Sequence, residues 1–444
     1  MEYVFVGGRP STTRDYSFAS IRQTNNLLIS MIDVLNSVNS ASKSFAFFKS
    51  LYEMHASHRT DINFNTFLDS GGYSIIVGDV QGCQTREFIE KYVTRIIEGR
   101  DIYDYVFSLD IPIFLEEPEY NTKDHIYEFN RMSLYETYER AKYDPILRNK
   151  LYFVWHFKIR DQYDIWNKLY NDLKLNDYVN NRAAGGMVGL RGVTQIDFSP
   201  FIAPLYRGLI DYLNGNTEIP FRFHALGVYI QHDRFFLCFL EKLFNHYLKT
   251  DTCHITYDSV NYMRTAQLKA RALDIYDFNG TGIDIYPHIS CPDAIYKEVY
   301  PGQLYDDLQQ EIENVKKSQK LNNVDAFVPL NVYGNVQLDK FFNYIIEKYD
   351  ILNKFLTGRM MDIFPAIAYA HPNVFSNRRL ECIKMNFRQT WPFHQWFMNS
   401  KKYEDFHPLM YKFISDINFP ASLQDAVATS KINTTHEFKH FMQE

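Results

Sequence analysis

Phe64-Asn65-Thr66-Phe67-Leu68-Asp69-Ser70-Gly71-Gly72-Tyr73 passes from a short apolar run into a carboxylate, a hydroxyl, two glycines and an aromatic ring. The run Phe64 to Leu68 has the length and composition of a β-strand, and Asp69 stands where it stops. Gly71 and Gly72 lack a Cβ, so main-chain amides there can approach a flat ligand closely, and a carboxylate at a strand end can exchange protons with it. An Asp in that place is also a common turn former or helix cap. Both roles stay open at this level.

The same punctuation recurs along the chain. Tyr3 to Val6 opens the series. Tyr103 to Leu109 ends at Asp110, Leu151 to Trp155 at His156, Ala183-Ala184 at Gly185-Gly186, Phe221 to Leu226 at Gly227, and His254 to Tyr257 at Asp258. Asn25 to Leu35 and Ser44 to Met54 show helix-like apolar spacing. From Asp69 onward the end points lie roughly 30 to 46 residues apart, the length of one strand-helix unit with its loops. That rhythm predicts an α/β protein, a (β/α)8 barrel of the TIM type, whose strand C-termini converge on one face. An open doubly wound sheet also alternates strands and helices, but no Gly-x-Gly-x-x-Gly turn follows the first strand.

Beyond about residue 290 the pattern changes. Gln303 to Lys320 is charged with helical spacing, Leu338 to Leu356 is a candidate amphipathic helix, and aromatic-rich stretches follow. The barrel is placed in residues 1–290, with room for its last units beyond that point, and 291–444 is expected to be a mostly helical C-terminal region. Trp391 and Trp396 are read as core of that region.

Composition bounds the function. With 444 residues, 46% of them hydrophobic, the chain can bury a large core. No apolar run approaches the length needed to span a bilayer, and Met1 to Pro10 lacks the layout of a secretion signal, so no membrane partner and a cytoplasmic location are expected. Five scattered cysteines, Cys83, Cys238, Cys253, Cys291 and Cys382, form no Cys-x-x-Cys pair and read as reduced, buried thiols. The net charge of -6 does not advertise a polyanion binder, so any nucleic-acid contact needs a local basic patch. Candidates are Lys269 and Arg271, Lys316 and Lys317, and Arg378 and Arg379, all of which also suit solvated helix faces. The 33 Tyr and 36 Phe fit an AT-rich coding bias of the kind seen in phage genomes.

Five ordered segments over Phe64 to Arg264 resemble the tRNA-guanine transglycosylases. Asp69-Ser70-Gly71-Gly72-Tyr73 resembles the segment whose Asp is the general acid/base and whose aromatic stacks on the bound base. Ser108-Leu109-Asp110-Ile111-Pro112 is similar to the segment whose Asp reads the guanine edge. Ala184-Gly185-Gly186-Met187-Val188-Gly189 is similar to a Gly-Gly-Leu-Ala-Val-Gly loop that contacts the base, and Ala225-Leu226-Gly227-Val228 to the Leu-Met-Gly-Val run after it. Tyr257-Asp258-Ser259-Val260 with Arg264 resembles Phe-Asp-x-Val-x-Pro-Thr-Arg, in which the Asp is the nucleophile. The resemblance implies Asp258 and Asp69 as catalytic residues. It implies Ser70, Gly71, Gly72, Tyr73, Asp110, Gly185, Gly186, Met187, Leu226, Gly227 and Arg264 as substrate-binding. His156 stands where the family has a base-binding Gln, and either donates to the base or is a packed histidine.

Departures from the family are equally specific. Its Cys-x-Cys-x-x-Cys zinc motif is absent, with only Cys291 and nearby His288 in that region, so no metal and no cofactor are expected. Ser74 replaces a Gln, and Tyr262-Met263 replaces Pro-Thr before Arg264. With the coding bias, these departures favour the phage and bacterial branch that inserts 7-deazaguanines into DNA. The expected function is exchange of guanine in DNA for a base such as preQ0 or preQ1, in the host cytoplasm if phage-encoded. The same exchange on tRNA and a non-catalytic partner subunit are the alternatives. The implied partners are nucleic acid and the free base, and the resemblance leaves room for a homodimer.

Overall fold

The computed structural model describes residues 1–8, 24–58, 65–71, 85–110, 123–155, 160–174, 181–185, 199–214, 220–259, 274–286, 328–402, 404–406 and 408–409. Eight parallel strands close into a barrel in chain order: β1 (Glu2–Gly8), β2 (Asn26–Ser30), β3 (Asn65–Asp69), β4 (Tyr105–Phe107), β5 (Leu151–Trp155), β6 (Asn181–Gly185), β7 (Phe221–Leu226) and β8 (Cys253–Asp258). β8 pairs back onto β1, with Tyr257 opposite Tyr3. This is the (β/α)8 architecture that the βα rhythm predicts.

The helices of the barrel's outer ring lie between the strands. They are α1 (Ile32–Asn36), α2 (Ala41–His58), α3 (Arg86–Glu98), α4 (Lys123–Ala141), α5 (Pro145–Lys150), α6 (Arg160–Asp172), α7 (Ser199–Asn214) and α8 (Gln231–Leu248). Local signals set several of their ends. Thr85 caps α3, its hydroxyl accepting from Phe88 N at 3.2 Å, and Asp144 caps α5 by accepting from Ile146 N and Leu147 N ahead of Pro145.

Strand side chains alternate between two cores. Val4, Val6, Leu28, Phe67, Phe107, Tyr152, Val154 and Ala183 fill the barrel. Their neighbours in sequence point outward against the helices: on β5, Phe153 and Trp155 meet Trp166 and Tyr170 of α6, with Trp155 stacked on Tyr170 at 5.4 Å. All five residues of β5 are buried, so the strand reads as an unbroken apolar run. The same effect corrects the helix-like reading of Asn25 to Leu35 over its first part, which is β2, while Ile32 to Leu35 lie in α1 as read. Leu27, Leu28 and Ile29 are buried on both faces of β2, and such a run looks the same in sequence whether it is strand or helix.

β4 is shorter than the run Tyr103 to Leu109. Past Phe107, Ser108 N still donates to Tyr152 O at 2.9 Å, but the next ladder position is taken by a side chain, Val154 N donating to Ser108 Oγ at 3.2 Å. The main chain is thereby released from the sheet just before Asp110.

A hairpin of β9 (Ile275–Phe278) and β10 (Ile283–Tyr286) follows the barrel strands, then α9 (Val328–Lys348), α10 (Ile351–Leu356), a 3-10 turn (Met360–Ile363), α11 (Phe364–Ala370) and α12 (Asn377–Asn399). The stretch Leu338 to Leu356 is two helices, broken where Asp350 takes a left-handed φ of 51°, a conformation Asp tolerates better than most residues. Gln303 to Lys320 lies outside the described residues. α8 joins the two parts: Arg234 through Leu240 are all buried, because the barrel covers one side of this helix and α9, α10 and α12 cover the other. α9 lies close against β9, where a Cβ on Gly334 would come within 3.1 Å of Tyr276 N. Trp396 is buried and Trp391 partly buried in this layer. No helix among the described residues is long and apolar enough to cross a membrane.

Candidate active site on the C-terminal rim of the barrel

Parallel strands carry their C-terminal residues to one rim, and among the described residues three carboxylates stand at or just past strand ends there. Asp69 is the last residue of β3, Asp258 the last of β8, and Asp110 follows β4. Gly185 ends β6 and Leu226 ends β7, with Gly227 next. A closed parallel barrel with polar groups gathered at this rim is the framework on which barrel enzymes build their active sites. Gly72, Tyr73, His156, Gly186, Met187 and Arg264 lie outside the described residues, as do Cys83, His288, Cys291, Lys269, Arg271, Lys316 and Lys317.

Asp258 is held by two donors. Gly227 N donates to Oδ1 at 2.9 Å, and His224 Nε2 lies 3.1 Å from the same oxygen. Among the described residues Oδ2 receives no hydrogen bond. Gly227 has φ of 72°, in the left-handed region, and this turn after β7 is what aims its amide sideways at β8. His224 is the residue that sequence reading missed. It lies inside Phe221 to Leu226, where it counts only as an inward-facing strand residue, and no motif marks it.

Asp69 and Asp110 form a second group. Asp69 O accepts from Met31 N at 3.0 Å and its Oδ2 accepts from Gly71 N at 3.3 Å, a turn closed by the side chain. The turn-forming role of this Asp is therefore real, and it leaves the half-buried carboxylate on the rim. Gly71 has φ of 78°, a conformation that favours glycine, and a Cβ there would also have to displace Leu35 Cδ1, 2.7 Å away. Ser70 Oγ donates to Asp110 Oδ1 at 3.3 Å, with both residues buried, and so links the turn after β3 to the chain after β4. Tyr92 of α3 lies nearby, its hydroxyl 3.5 Å from Met31 Sδ. Burial first, then the negative charges of Asp69 and Asp110, push its phenol far above the ordinary value.

Among the described residues no group of three or more His, Cys, Asp or Glu is arranged to hold a metal ion. Of the candidate basic residues, Arg379 is committed within the C-terminal layer, donating to Val374 O at 2.7 Å.

No protein-family model matches the chain, and no curated protein matches it. Among solved structures, the crystal structure of a probable tagatose 6-phosphate kinase from Sinorhizobium meliloti 1021 is similar at 8% identity over 96% of this chain and 99% of that chain, with a TM-score of 0.33. Likeness at that level carries no argument about family, substrate or reaction.

Proposed function

We propose that the protein is a base-exchange glycosyltransferase that replaces guanine in DNA by a 7-deazaguanine. The observation that supports this most is Asp258: one oxygen is anchored by Gly227 and His224, the other is left without a bond among the described residues, and Asp69 and Asp110 share its rim. The resemblance of five ordered segments to the guanine transglycosylases supplies the chemistry.

In this reading Asp258 Oδ2 attacks C1′ of the target nucleotide as the bond to guanine N9 breaks, the electron pair leaving with the base. Asp69 as the acid protonates the departing guanine, so two carboxylates share the work as in retaining glycosidases. The incoming base then gives its N9 proton to Asp69 and attacks C1′, and Asp258 leaves as a carboxylate. Asp110 reads the edge of the base. Guanine departs before its replacement binds, which makes the kinetics ping-pong, and the target base must leave its stack to reach the rim.

Incorporation of labelled preQ0, preQ1 or guanine into duplex DNA and into tRNA tests this, with Asp258→Asn as control. Asn keeps an oxygen for Gly227 N–H and His224, so the control should stay folded while losing the nucleophile. Label in DNA that is lost in the control is the expected result. Label only in tRNA would move the substrate to that polymer, and no label in either would point to a non-catalytic partner subunit.

A further inference from the structure

A histidine lies buried beneath the candidate nucleophile. His224 is fully enclosed inside the barrel. Phe67, Phe107 and Tyr152 surround its ring, at centroid separations of 5.7, 4.9 and 6.4 Å. An imidazole in such a cage needs partners for both nitrogens. It has them on β8: Nε2 lies 3.1 Å from Asp258 Oδ1, and Nδ1 lies 2.8 Å from Thr256 Oγ1. Thr256 stands directly opposite His224 in the strand register, and Asp258 is one pleat further along the same face.

Hydrogen counting narrows the roles. An ionised carboxylate only accepts, so Nε2 carries a hydrogen and donates it to Asp258. Thr256 has a single hydroxyl hydrogen with two acceptors near it, His224 Nδ1 at 2.8 Å and Phe223 O at 3.5 Å. Given along the shorter contact it leaves Nδ1 bare; given to Phe223 O it leaves Nδ1 to donate.

We propose that Thr256 and His224 are positioning residues for Asp258: Thr256 holds the imidazole in its Nε2–H tautomer, and the imidazole, together with Gly227 N–H, fixes Oδ1 so that Oδ2 is the attacking oxygen. This rests on the proposed role of Asp258. Of the groups facing the ring, Asp258 on β8 is the charged one; Phe67 on β3, Phe107 on β4 and Thr256 on β8 do not titrate in the working range, and burial raises the Tyr152 phenol on β5 well above its ordinary value. Arg222, one pleat down β7, sits over the Tyr105 ring at 5.4 Å.

The first arm of the test needs no activity. Nitrogen-15 NMR of the full-length protein labelled at histidine, with the His224 signals assigned by their loss in His224→Asn, reads the tautomer directly. Wild type should show a protonated Nε2 and a bare Nδ1, Thr256→Val a mixture of tautomers, and Thr256→Ser the wild-type pattern again. The second arm follows base exchange. Thr256→Val should lower kcat about 10-fold and His224→Phe on the order of 10²-fold, the size of effect expected from misplacing a reacting group, with KM for nucleic acid unchanged. Thr256→Ser should restore kcat. A wild-type ring protonated on Nδ1, or a Thr256→Val protein with wild-type tautomer and rate, would overturn the proposal. Absence of exchange by wild type would overturn the glycosyltransferase reading instead, and the NMR arm would still decide whether Thr256 and His224 hold Asp258.

Discussion

Arg234 of α8 donates from Nε to Asp339 Oδ1 of α9 at 3.1 Å, with both side chains buried. Asn335 O accepts from Nη2 of the same guanidinium at 2.6 Å, and the Tyr257 hydroxyl donates to Asp339 Oδ2. The pair thus joins the C-terminal layer to the barrel and, through Tyr257, to the residue beside Asp258. Removing one partner of a buried ion pair leaves an uncompensated charge. Asp339→Ala is therefore expected to cost about 3–5 kcal/mol in chemical denaturation at pH 7; a cost within the range of a surface substitution would mean that the charge finds other compensation.

Asp339 also makes a pH prediction. Burial, outweighing Arg234 and the Tyr257 hydrogen bond, raises its carboxyl above the ordinary value. A carboxyl raised in the folded state holds its proton more tightly there than in the unfolded chain. Its stabilising contribution is complete below the unfolded value of about 3.9 and is lost as pH rises through the folded one. Asp339→Asn does not titrate, so it should gain on wild type as pH rises from about 4 through that window. Urea unfolding at a series of pH values measures this, and a difference that stays constant with pH would contradict it.

Gly71→Ala should destabilise the turn that presents Asp69. The φ of 78° is strained for any residue with a Cβ, and Leu35 Cδ1 at 2.7 Å must give way. Strain of this kind costs about 1–3 kcal/mol. A midpoint loss in that range, with a larger proportional fall in the proposed base exchange, is the expected outcome; unchanged stability would show that the turn can relax.

Phe387 of α12 tests whether the C-terminal helices share the barrel's fate. Its ring contacts Phe236 and Phe239 of α8 at 5.1 and 4.5 Å, Phe355 of α10 at 5.7 Å and Phe364 of α11 at 6.0 Å. Phe387→Ala should cost about 3–5 kcal/mol. The loss should lower one cooperative transition for the whole chain, because the apolar core runs without interruption from the barrel's outer face into this layer. Two resolved transitions, with only one of them shifted, would show separate units.

The strands were legible where a short apolar run stops at a polar or glycine residue, as at Leu151 to Trp155 and Phe221 to Leu226, whose bounds match β5 and β7. Asn26 to Ser30, within the helix-like stretch Asn25 to Leu35, was not, since a strand buried on both faces loses the alternation that would mark it. Asp69 stood out as a carboxylate at a strand end, a local feature of the chain, whereas Asp258 was picked out among the acidic residues by the family resemblance alone. Their placement on one rim follows from the parallel direction of the strands once the barrel closes.

Sequence alone determined the βα rhythm, the closed barrel it implies and the strand-end positions of the carboxylates, because each depends on residues adjacent in the chain. Only the tertiary structure decided what holds them. His224 reaches Asp258 because β7 and β8 pair with His224 opposite Thr256, and Arg234 finds Asp339 because α9 packs on α8. Both relations join residues far apart in sequence through the register and packing of whole elements, and no local pattern in the chain encodes which side chains will meet there.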